Sequence, residues 1–264
     1  MPPLAVLGSL ARDRIDGAER VGGGAYHAAR GLRLLSGAAA VIVTRASDRE
    51  LLQPLAAFGF PVEFEEAVST PTFTLHYDGD DREMHVAELG QPWSPEDAAG
   101  WAGDALADAG WVQVAPLLRS DFPAATLAVL AQGRRLLLDG QGLVRVPATG
   151  PLRLDDDYDR DVLRHLTVLK LAEEEARAIL PDFGVQALAG LGVPEVLLTF
   201  GSRGSLVFAD GRLVEVPANP VAADATGAGD AFLAAYADGR AAGREPVPAA
   251  RRAAALVETM LAGQ

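Results

Sequence analysis

Residues 221–236 read VAADATGAGDAFLAAY, in which small and acidic residues stand directly before an apolar, alanine-rich run. The run from Ala231 onward contains strong helix formers and no helix breaker, so the glycines before it are predicted to lie at a helix N-terminus. Gly227, Ala228 and Gly229 carry little side chain, so their backbone N–H groups can approach a ligand closely. Such a terminus offers unpaired N–H donors and about half a positive charge, which suits a phosphate or a developing oxyanion.

Asp230 falls in the first turn of this predicted helix, where a carboxylate is favoured. An acid held beside an anion site can deprotonate a hydroxyl group while that hydroxyl attacks a phosphoryl group. The same letters also fit a structural loop, in which Asp224 or Thr226 caps the helix and the glycines make a turn. Two other nucleotide-binding loops are excluded, because Phe232 stands where a dinucleotide fingerprint needs its third glycine and no Walker A string occurs.

The string DATGAGDAF at 224–232 resembles the C-terminal signature of the ribokinase-like (PfkB) carbohydrate kinases. The resemblance implies a three-layer α/β/α fold with a mainly parallel central sheet and a small β-sheet lid. It further implies a kinase that uses ATP and Mg²⁺ to phosphorylate an alcohol of a small sugar or polyol, with Asp230 as the catalytic base. The residues before this base would form the anion hole and contact ATP: Gly227, Ala228 and Gly229 for the hole, and Thr226 for ATP.

Composition limits the partners of the chain. Its 264 residues fit one large domain, which would bury roughly 70–75% of its unfolded surface. There is no cysteine, so disulfides and thiolate metal sites are excluded. The net charge of −13 disfavours nucleic acid and anionic membrane surfaces as partners. The first residues lack the basic start of a signal peptide, and no apolar run approaches the ~20 residues of a membrane span, so we expect a cytoplasmic protein.

Short apolar runs alternate with helical segments along most of the chain, which is typical of a parallel sheet with helices on both faces. The predicted strands are 3–8, 38–44, 110–115, 135–138, 167–172 and 195–199, and the predicted helices are 25–35, 49–58, 94–109, 122–131 and a closing helix from 247. Two hairpins are predicted, one within 64–90 around DGDD at 78–81 and one over 205–216. We expect one domain over 1–264, with the lid inserted at about 64–90 and able to form a homodimer contact.

The N-terminal region resembles the family's acceptor site. Asp13, expected in a loop, matches the Asp of G-x-x-x-x-D, which binds sugar hydroxyls in the family. Gly22 and Gly23 match G-G-x-x-x-N, but His27 replaces the Asn. On the residues alone, Asp13 between two arginines also fits a solvated loop acid, and a single His on a helix also fits a structural role.

A second candidate acceptor segment is DGQGLVR at 139–145, which resembles the polyol- and nucleoside-directed branches of the family. Because ligands of open α/β sheets lie beyond the carboxyl ends of the strands, Asp139 and Gln141 are expected to contact the substrate. The segment equally fits a simple turn at the end of a strand.

Two further segments resemble the family's donor site. KLAEEE at 170–175 resembles K-P-N-x-x-E, whose Asn and Glu organise Mg²⁺ and the phosphates, usually through water. Lys170 and Glu175 match, whereas Ala172 replaces the Asn; Mg²⁺ keeps several waters, so this loss can be tolerated. TFGSRG resembles T-x-G-x-x-G, which holds the nucleotide phosphates, and its matching residues are Thr199, Gly201 and Gly204.

Two alternatives stay open at this point. One is a nucleoside kinase of the same family, and the other is a non-catalytic sugar- or nucleotide-binding protein on the same scaffold. Ala172 and His27 favour the binding protein, because both depart from the family's motifs. Asp230 favours an enzyme, because binding alone requires no base.

Overall fold

The structure is a computed structural model that describes residues 4–78, 81–221 and 224–263. Its strands are β1 (Leu4–Leu7), β2 (Ala11–Ile15), β3 (Ala18–Gly22), β4 (Ala40–Ala46), β5 (Val62–Glu66), β6 (Thr72–Asp78), β7 (Asp81–Glu88), β8 (Trp111–Val114), β9 (Arg135–Asp139), β10 (Gly150–Pro151), β11 (Val168–Ala172), β12 (Glu195–Thr199), β13 (Ser205–Ala209) and β14 (Arg212–Val216). Its α-helices are α1 (Gly24–Leu32), α2 (Leu52–Ala56), α3 (Pro95–Ala99), α4 (Trp101–Ala105), α5 (Ala124–Leu130), α6 (Gln141–Val144), α7 (Glu173–Ile179), α8 (Val185–Ala189), α9 (Ala228–Ala241) and α10 (Pro246–Ala262).

The larger sheet has nine strands in the order β14-β13-β12-β11-β9-β8-β1-β4-β5. The strands from β12 to β5 are parallel, and the hairpin β13–β14 joins β12 antiparallel at one edge. The central strand β1 is buried along its whole length, as its unbroken apolar sequence LAVL requires. Its side chains alternate between two cores: Leu4 and Val6 pack with α1, α9 and α10, and Ala5 and Leu7 pack with α3, α4, α5, α7 and α8. The three-layer α/β/α prediction is confirmed.

The smaller sheet has five strands in the order β10-β7-β6-β2-β3. Strands β6 and β7 lie within the segment 64–90 that the sequence assigns to the lid, and part of their predicted turn, Gly79 and Asp80, lies outside the described residues. The other three strands come from elsewhere in the chain. The expectation of a loop at Asp13 is wrong, because β2 pairs antiparallel with β3 through Asp16 and Gly17, both at positive φ (50° and 81°).

The smaller sheet packs one face against the large domain. Phe73, Leu75 and Val86 of this sheet are buried together with Leu117 and Leu118, which follow β8. This contact holds the smaller sheet over the carboxyl ends of the parallel strands. In open α/β sheets that edge is where ligands bind.

Helix bounds differ most from the sequence expectation at 94–109. Ser94 caps α3 by accepting a hydrogen bond from the N–H of Asp97, but Gly100 has φ −98° and ψ −124° and separates α3 from α4, which ends at Ala105. The predicted helix 49–58 is a 3₁₀ turn at Arg49–Leu51 followed by α2. None of the helices in the part of the chain that the structure describes has the length and apolar character needed to cross a membrane.

Candidate active site

The N-terminus of α9 is built by a glycine that no other residue can replace easily. Gly227 is the N-cap with φ 76°, in the left-handed region, and a Cβ there would lie 2.3 Å from the ring of His27. The loop before it is shaped by Asp224, whose Oδ1 accepts from the N–H (2.9 Å) and the hydroxyl (2.7 Å) of Thr226. Arg30 of α1 donates to the carbonyl of Thr226 at 2.7 Å, which ties this loop to α1.

Two cavities flank this helix terminus. The first, here called the α1-side cavity, has a volume of about 90 Å³ and is walled on one side by Phe73, Leu75, Met84 and Leu117. Its polar lining contains seven predicted site residues: Asp13, Gly23, His27, Gln141, Thr226, Gly227 and Asp230. Gly22 lies outside the lining, but a Cβ on it would come 2.1 Å from Oδ2 of Asp13, so this glycine makes room for the carboxylate.

The second, here called the α10-side cavity, has a volume of about 190 Å³. The predicted donor-site residues Thr199, Gly201 and Gly204 line it, together with Ala228 and Gly229. The rest of its wall is largely apolar and comes from the loop before α9 and from α9 and α10: Ala218, Val221, Ala225, Phe232, Ala254, Val257 and Leu261. Gly204 has φ 90° and its Cβ position lies 2.4 Å from the carbonyl of Val216, so the turn after β12 depends on this glycine.

One backbone amide of the predicted anion hole already donates a hydrogen bond within the protein. The N–H of Ala228 donates to the carbonyl of Ala225 at 2.9 Å. The amides of Gly229 and Asp230 follow it in the first helical turn, where an N–H group has no acceptor one turn earlier in the helix. The first turn of α9 therefore offers these two amides, and the Ala228 amide contributes to the turn instead.

Asp230 is largely buried, but its side chain lines the α1-side cavity. Its side chain is 9% exposed, and its Oδ1 has no hydrogen-bond partner among the described residues. Gly24 leaves space for this oxygen, since a Cβ on Gly24 would lie 2.8 Å from it. Burial, followed by the charge of Asp139, raises the pKa of Asp230 to about 7, although Lys170 and Arg145 act in the opposite direction. A carboxylate with this pKa can accept a proton near neutral pH, as a general base must.

Lys170, the only lysine of the chain, lies buried beneath the start of α9. Its Nζ is 3.2 and 3.1 Å from the two carboxylate oxygens of Asp139 and 3.8 Å from Oε2 of Glu175. A Cβ on Gly229 would lie 2.9 Å from this Nζ. Burial lowers the pKa of Lys170, but the two carboxylates more than offset it, so the pKa stays above its usual range and the ammonium stays charged.

The predicted roles of these three residues need revision on this geometry. Lys170 and Asp139 are 4% and 2% exposed, and neither is among the residues that line the two cavities. Glu175 is equally buried, and its Oε2 accepts from the N–H of Ala172 at 2.7 Å. The three side chains therefore satisfy one another below the helix terminus instead of facing a ligand.

The residues present do not fit a Mg²⁺ ion held by the protein itself. The carboxylate of Glu175 is occupied by Ala172 and Lys170, and burial raises its pKa. Ala172 has no side-chain oxygen to offer where the family's motif has an amide. Within residues 4–78, 81–221 and 224–263, no group of three His, Cys, Asp or Glu side chains could hold a metal ion.

His27 lines the α1-side cavity as a neutral imidazole. Burial, assisted by the charge of Arg30, lowers its pKa to about 3. Its Nδ1 is buried and has no hydrogen-bond partner among the described residues. A neutral imidazole carries both a donor and an acceptor, so His27 can bind a hydroxyl group.

Sequence reasoning missed three residues of the site. Arg145 lines the α1-side cavity, Gly24 makes room for Asp230, and Gln113 of β8 donates through Nε2 to the backbone carbonyl of Asp230 at 3.3 Å. Arg145 closes the string DGQGLVR, so that motif already contained a signal for it. Gly24 is the third glycine of a run whose first two were assigned, whereas nothing local distinguishes Gln113 within its strand.

Comparison with known proteins identifies relatives of this chain. The profile of the pfkB family carbohydrate kinases matches residues 18–261. The ribokinase of Bacillus subtilis (strain 168) is 34% identical over 101 residues, which are 37% of this chain and only about a third (34%) of the length of that ribokinase.

Solved structures share the fold. A pyrophosphate-dependent kinase in the ribokinase family, complexed with a pyrophosphate analog and myo-inositol, superposes with a TM-score of 0.83 at 23% identity, covering 98% of this chain and 94% of that one. The Burkholderia thailandensis nucleoside kinase in complex with inosine gives 0.76 at 20% identity, covering 99% and 91%. The Arabidopsis thaliana ribokinase complexed with ribose and ATP gives 0.73 at 24% identity, covering 97% and 91%.

Proposed function

Since this chain belongs to the pfkB family of carbohydrate kinases, we propose that it transfers the γ-phosphoryl group of ATP to an alcohol of a small sugar or polyol, with Asp230 as the general base. The position of Asp230 carries this proposal. Its carboxylate lines the α1-side cavity, and the helix turn to which it belongs also lines the α10-side cavity. An acceptor in the first cavity and a donor in the second would meet at the N-terminus of α9.

The reaction follows from this arrangement. Asp13, His27 and Gln141 hydrogen-bond hydroxyl groups of the acceptor and orient one of them toward Asp230. Asp230 takes the proton of that hydroxyl while the hydroxyl oxygen forms a bond to the γ-phosphorus of ATP. The bond between the γ-phosphorus and the oxygen that bridges it to the β-phosphorus breaks at the same time, which releases ADP. The amides of Gly229 and Asp230 and the positive end of α9 stabilise the charge on the transferring group.

The apolar wall of the α10-side cavity supports ATP as the donor. Thr199, Gly201 and Gly204 would contact the phosphates, and the apolar residues of α9 and α10 would bury the base and the ribose. Pyrophosphate, the donor of one structural relative, has no apolar part that such a wall could bury. Mg²⁺ would enter with the nucleotide, bound to its phosphates, because the described part of the chain offers no set of side chains that could hold the ion. With ATP as its donor, the enzyme would act in the cytoplasm.

The sizes of the two cavities support a single-ring acceptor. The α1-side cavity has about 90 Å³ against about 190 Å³ on the donor side, where one nucleoside is expected to bind. A nucleoside acceptor would need comparable room. The apolar wall of Phe73, Leu75 and Met84 favours the runner-up, a nucleoside kinase, because such a wall could contact a base.

A coupled assay of ADP release tests the proposal. ATP is combined with pentoses, hexoses, inositols and nucleosides in turn, and pyrophosphate replaces ATP in a parallel series with phosphate release as its readout. We expect ADP release with ATP and a single-ring acceptor. ADP release with nucleosides only would make the enzyme a nucleoside kinase. Turnover with pyrophosphate only would contradict the proposal that ATP is the donor. Binding of an acceptor or of ATP in calorimetry, without turnover of any pair, would indicate a binding protein.

A further inference from the structure

Positive charge near the N-terminus of α9 is scarce, and most of it is committed to the protein itself. Lys170 is paired with Asp139 and Glu175 below the helix. Arg30 donates to the carbonyl of Thr226, and Arg203, beside the α10-side cavity, is paired with Glu173. With a net charge of −13, the chain offers no general attraction for a phosphoryl group, so local cations have to provide it.

Among the described residues around the two cavities, Arg145 is the cation that is not committed to an internal partner. It is half-buried in the lining of the α1-side cavity, and no carboxylate of the described residues lies within 4 Å of its guanidinium. Its backbone is nevertheless fixed: its N–H donates to the carbonyl of Gln141 at 3.1 Å, and its own carbonyl accepts from Arg119 at 3.0 Å. A guanidinium on an anchored backbone, without an internal partner, is a ready site for an oxyanion.

The charge of Arg145 acts at the reacting end of the cavity. Arg145 is among the groups that counter the burial-driven rise in the pKa of Asp230, at the start of α9, and of Glu175, in the first turn of α7. An acceptor with its own negative charge would meet Asp13 and Asp230 in the same cavity, which disfavours an anionic acceptor as the partner of Arg145. The phosphoryl group, in contrast, arrives at Asp230 from the donor side.

We propose that Arg145 is a catalytic residue that binds the transferring phosphoryl group from the acceptor side, opposite the amides of α9. This inference rests on the proposed function, and it adds a charge that the family signature at 224–232 does not contain. During transfer, the guanidinium would donate to the non-bridging oxygens of the γ-phosphoryl group, while Asp230 holds the proton taken from the acceptor. In the absence of nucleotide, the same guanidinium would bind a small tetrahedral oxyanion.

Two measurements test the proposal on the wild type, Arg145→Gln, Arg145→Lys and the control Arg153→Gln, whose arginine is exposed nearby in the chain. The first is the binding of sulfate at constant ionic strength, without nucleotide or acceptor. We expect Arg145→Gln to weaken sulfate binding at least tenfold and Arg153→Gln to leave it unchanged. The second is steady-state kinetics, where we expect Arg145→Gln to lower kcat by about 10²–10³, the usual effect of losing one transition-state donor, with the KM of the acceptor within a few-fold.

The outcomes are separable from those of the proposed function. Equal sulfate binding in the wild type and Arg145→Gln, or a raised KM of the acceptor with an unchanged kcat, would overturn the inference. Arg145→Lys keeps the charge, so its sulfate affinity and kcat are expected to lie between those of the wild type and those of Arg145→Gln. If the Gln variant does not fold, the Lys variant provides the test. Sulfate binding that depends on Arg145, in a wild type that phosphorylates no acceptor, would contradict the kinase proposal but retain the oxyanion site.

Discussion

Asp230 is held between two opposing electrostatic influences. Burial and the nearby charge of Asp139 favour its protonated form, and the ammonium of Lys170 favours its carboxylate. The result is a pKa of about 7, well above that of an ordinary Asp and close to neutral pH, where a general base works best. Lys170 and Asp139 thus influence the pKa of Asp230, although they face neither cavity.

This balance predicts the pH dependence of turnover. Because Asp230 has to be deprotonated, kcat/KM for the acceptor is expected to rise through a limb near pH 7. Asp139→Asn removes a charge that raises the pKa of Asp230, so the limb moves to lower pH, whereas Lys170→Met moves it to higher pH. The pH–rate profiles of the three proteins provide the check, and shifts in the same direction for both variants would contradict the account.

The raised pKa of Asp230 also predicts that ionisation of this side chain lowers the stability of the folded protein. Its pKa is raised in the folded protein, so the folded state binds the proton more tightly than the unfolded chain does. Its contribution to stability is complete below pH 4 and is lost as the pH rises through about 7. We expect Asp230→Asn to be more stable than the wild type at pH 8, by roughly 1–4 kcal/mol, and the gain to vanish by pH 4. Urea unfolding at both pH values measures it, and a less stable variant at pH 8 would be the contrary result.

The start of α9 depends on its contact with α1. Gly227 and His27 occupy adjoining space, so the helix can begin at this point only if residue 227 has no side chain. Arg30 reinforces the contact through the carbonyl of Thr226. Two elements far apart in the chain thereby fix the position of the turn that carries Asp230.

Residue 227 has to be glycine for two reasons, its left-handed backbone and its contact with His27, and a comparison with Gly37 separates them. Gly227 and Gly37 both have φ 76°, but the Cβ position of Gly37 has open space around it. We expect Gly37→Ala to cost about 1–2 kcal/mol from the left-handed backbone alone, and Gly227→Ala to cost more and to lower activity. In Gly227→Ala with His27→Ala, the loss of stability is expected to be less than the sum of the single changes. Equal losses for the two glycine variants in thermal unfolding would contradict the proposed contact.

The candidate site lies where the two sheets meet. The large sheet supplies β9 and β12, which end at Asp139 and Thr199, and β11, which carries Lys170 at its middle. The smaller sheet closes the α1-side cavity with apolar side chains. We propose that the smaller sheet acts as a lid over the acceptor. Both sheets are needed to form the α1-side cavity, because neither sheet alone contains all the residues that line it.

The outer face of the smaller sheet is the surface that we propose for a homodimer. Strand β6 turns Phe73 and Leu75 toward the core, which leaves Thr74 and His76 on the opposite face. Light scattering is expected to give a mass twice that of one chain, and the double substitution Thr74→Arg and His76→Glu to return it to that of one chain. Val185→Glu, on α8 of the large domain, serves as the control. A single-chain mass for the wild type would refute the dimer.

The sequence allowed much of this molecule to be predicted, and the misses have physical causes. The parallel strands and the glycines at 227 and 204 follow from local patterns, because buried strands need apolar runs and left-handed turns need glycine. The β2–β3 hairpin was missed although Asp16-Gly17 is a hairpin signal, because its flanking residues are charged rather than apolar. The cluster of Lys170 with Asp139 could not be predicted, since it depends on β9 and β11 being neighbours in the sheet.

In the proposed reaction, the carboxylate of Asp230 removes the proton from the acceptor alcohol. The most direct test of this step is turnover and nucleotide affinity in Asp230→Asn, which retains the shape of the side chain and loses the base. We predict that kcat falls by about 10²–10⁴, the usual contribution of a general base, while the Kd of ATP measured by calorimetry stays within a few-fold. Turnover close to that of the wild type would contradict the claim.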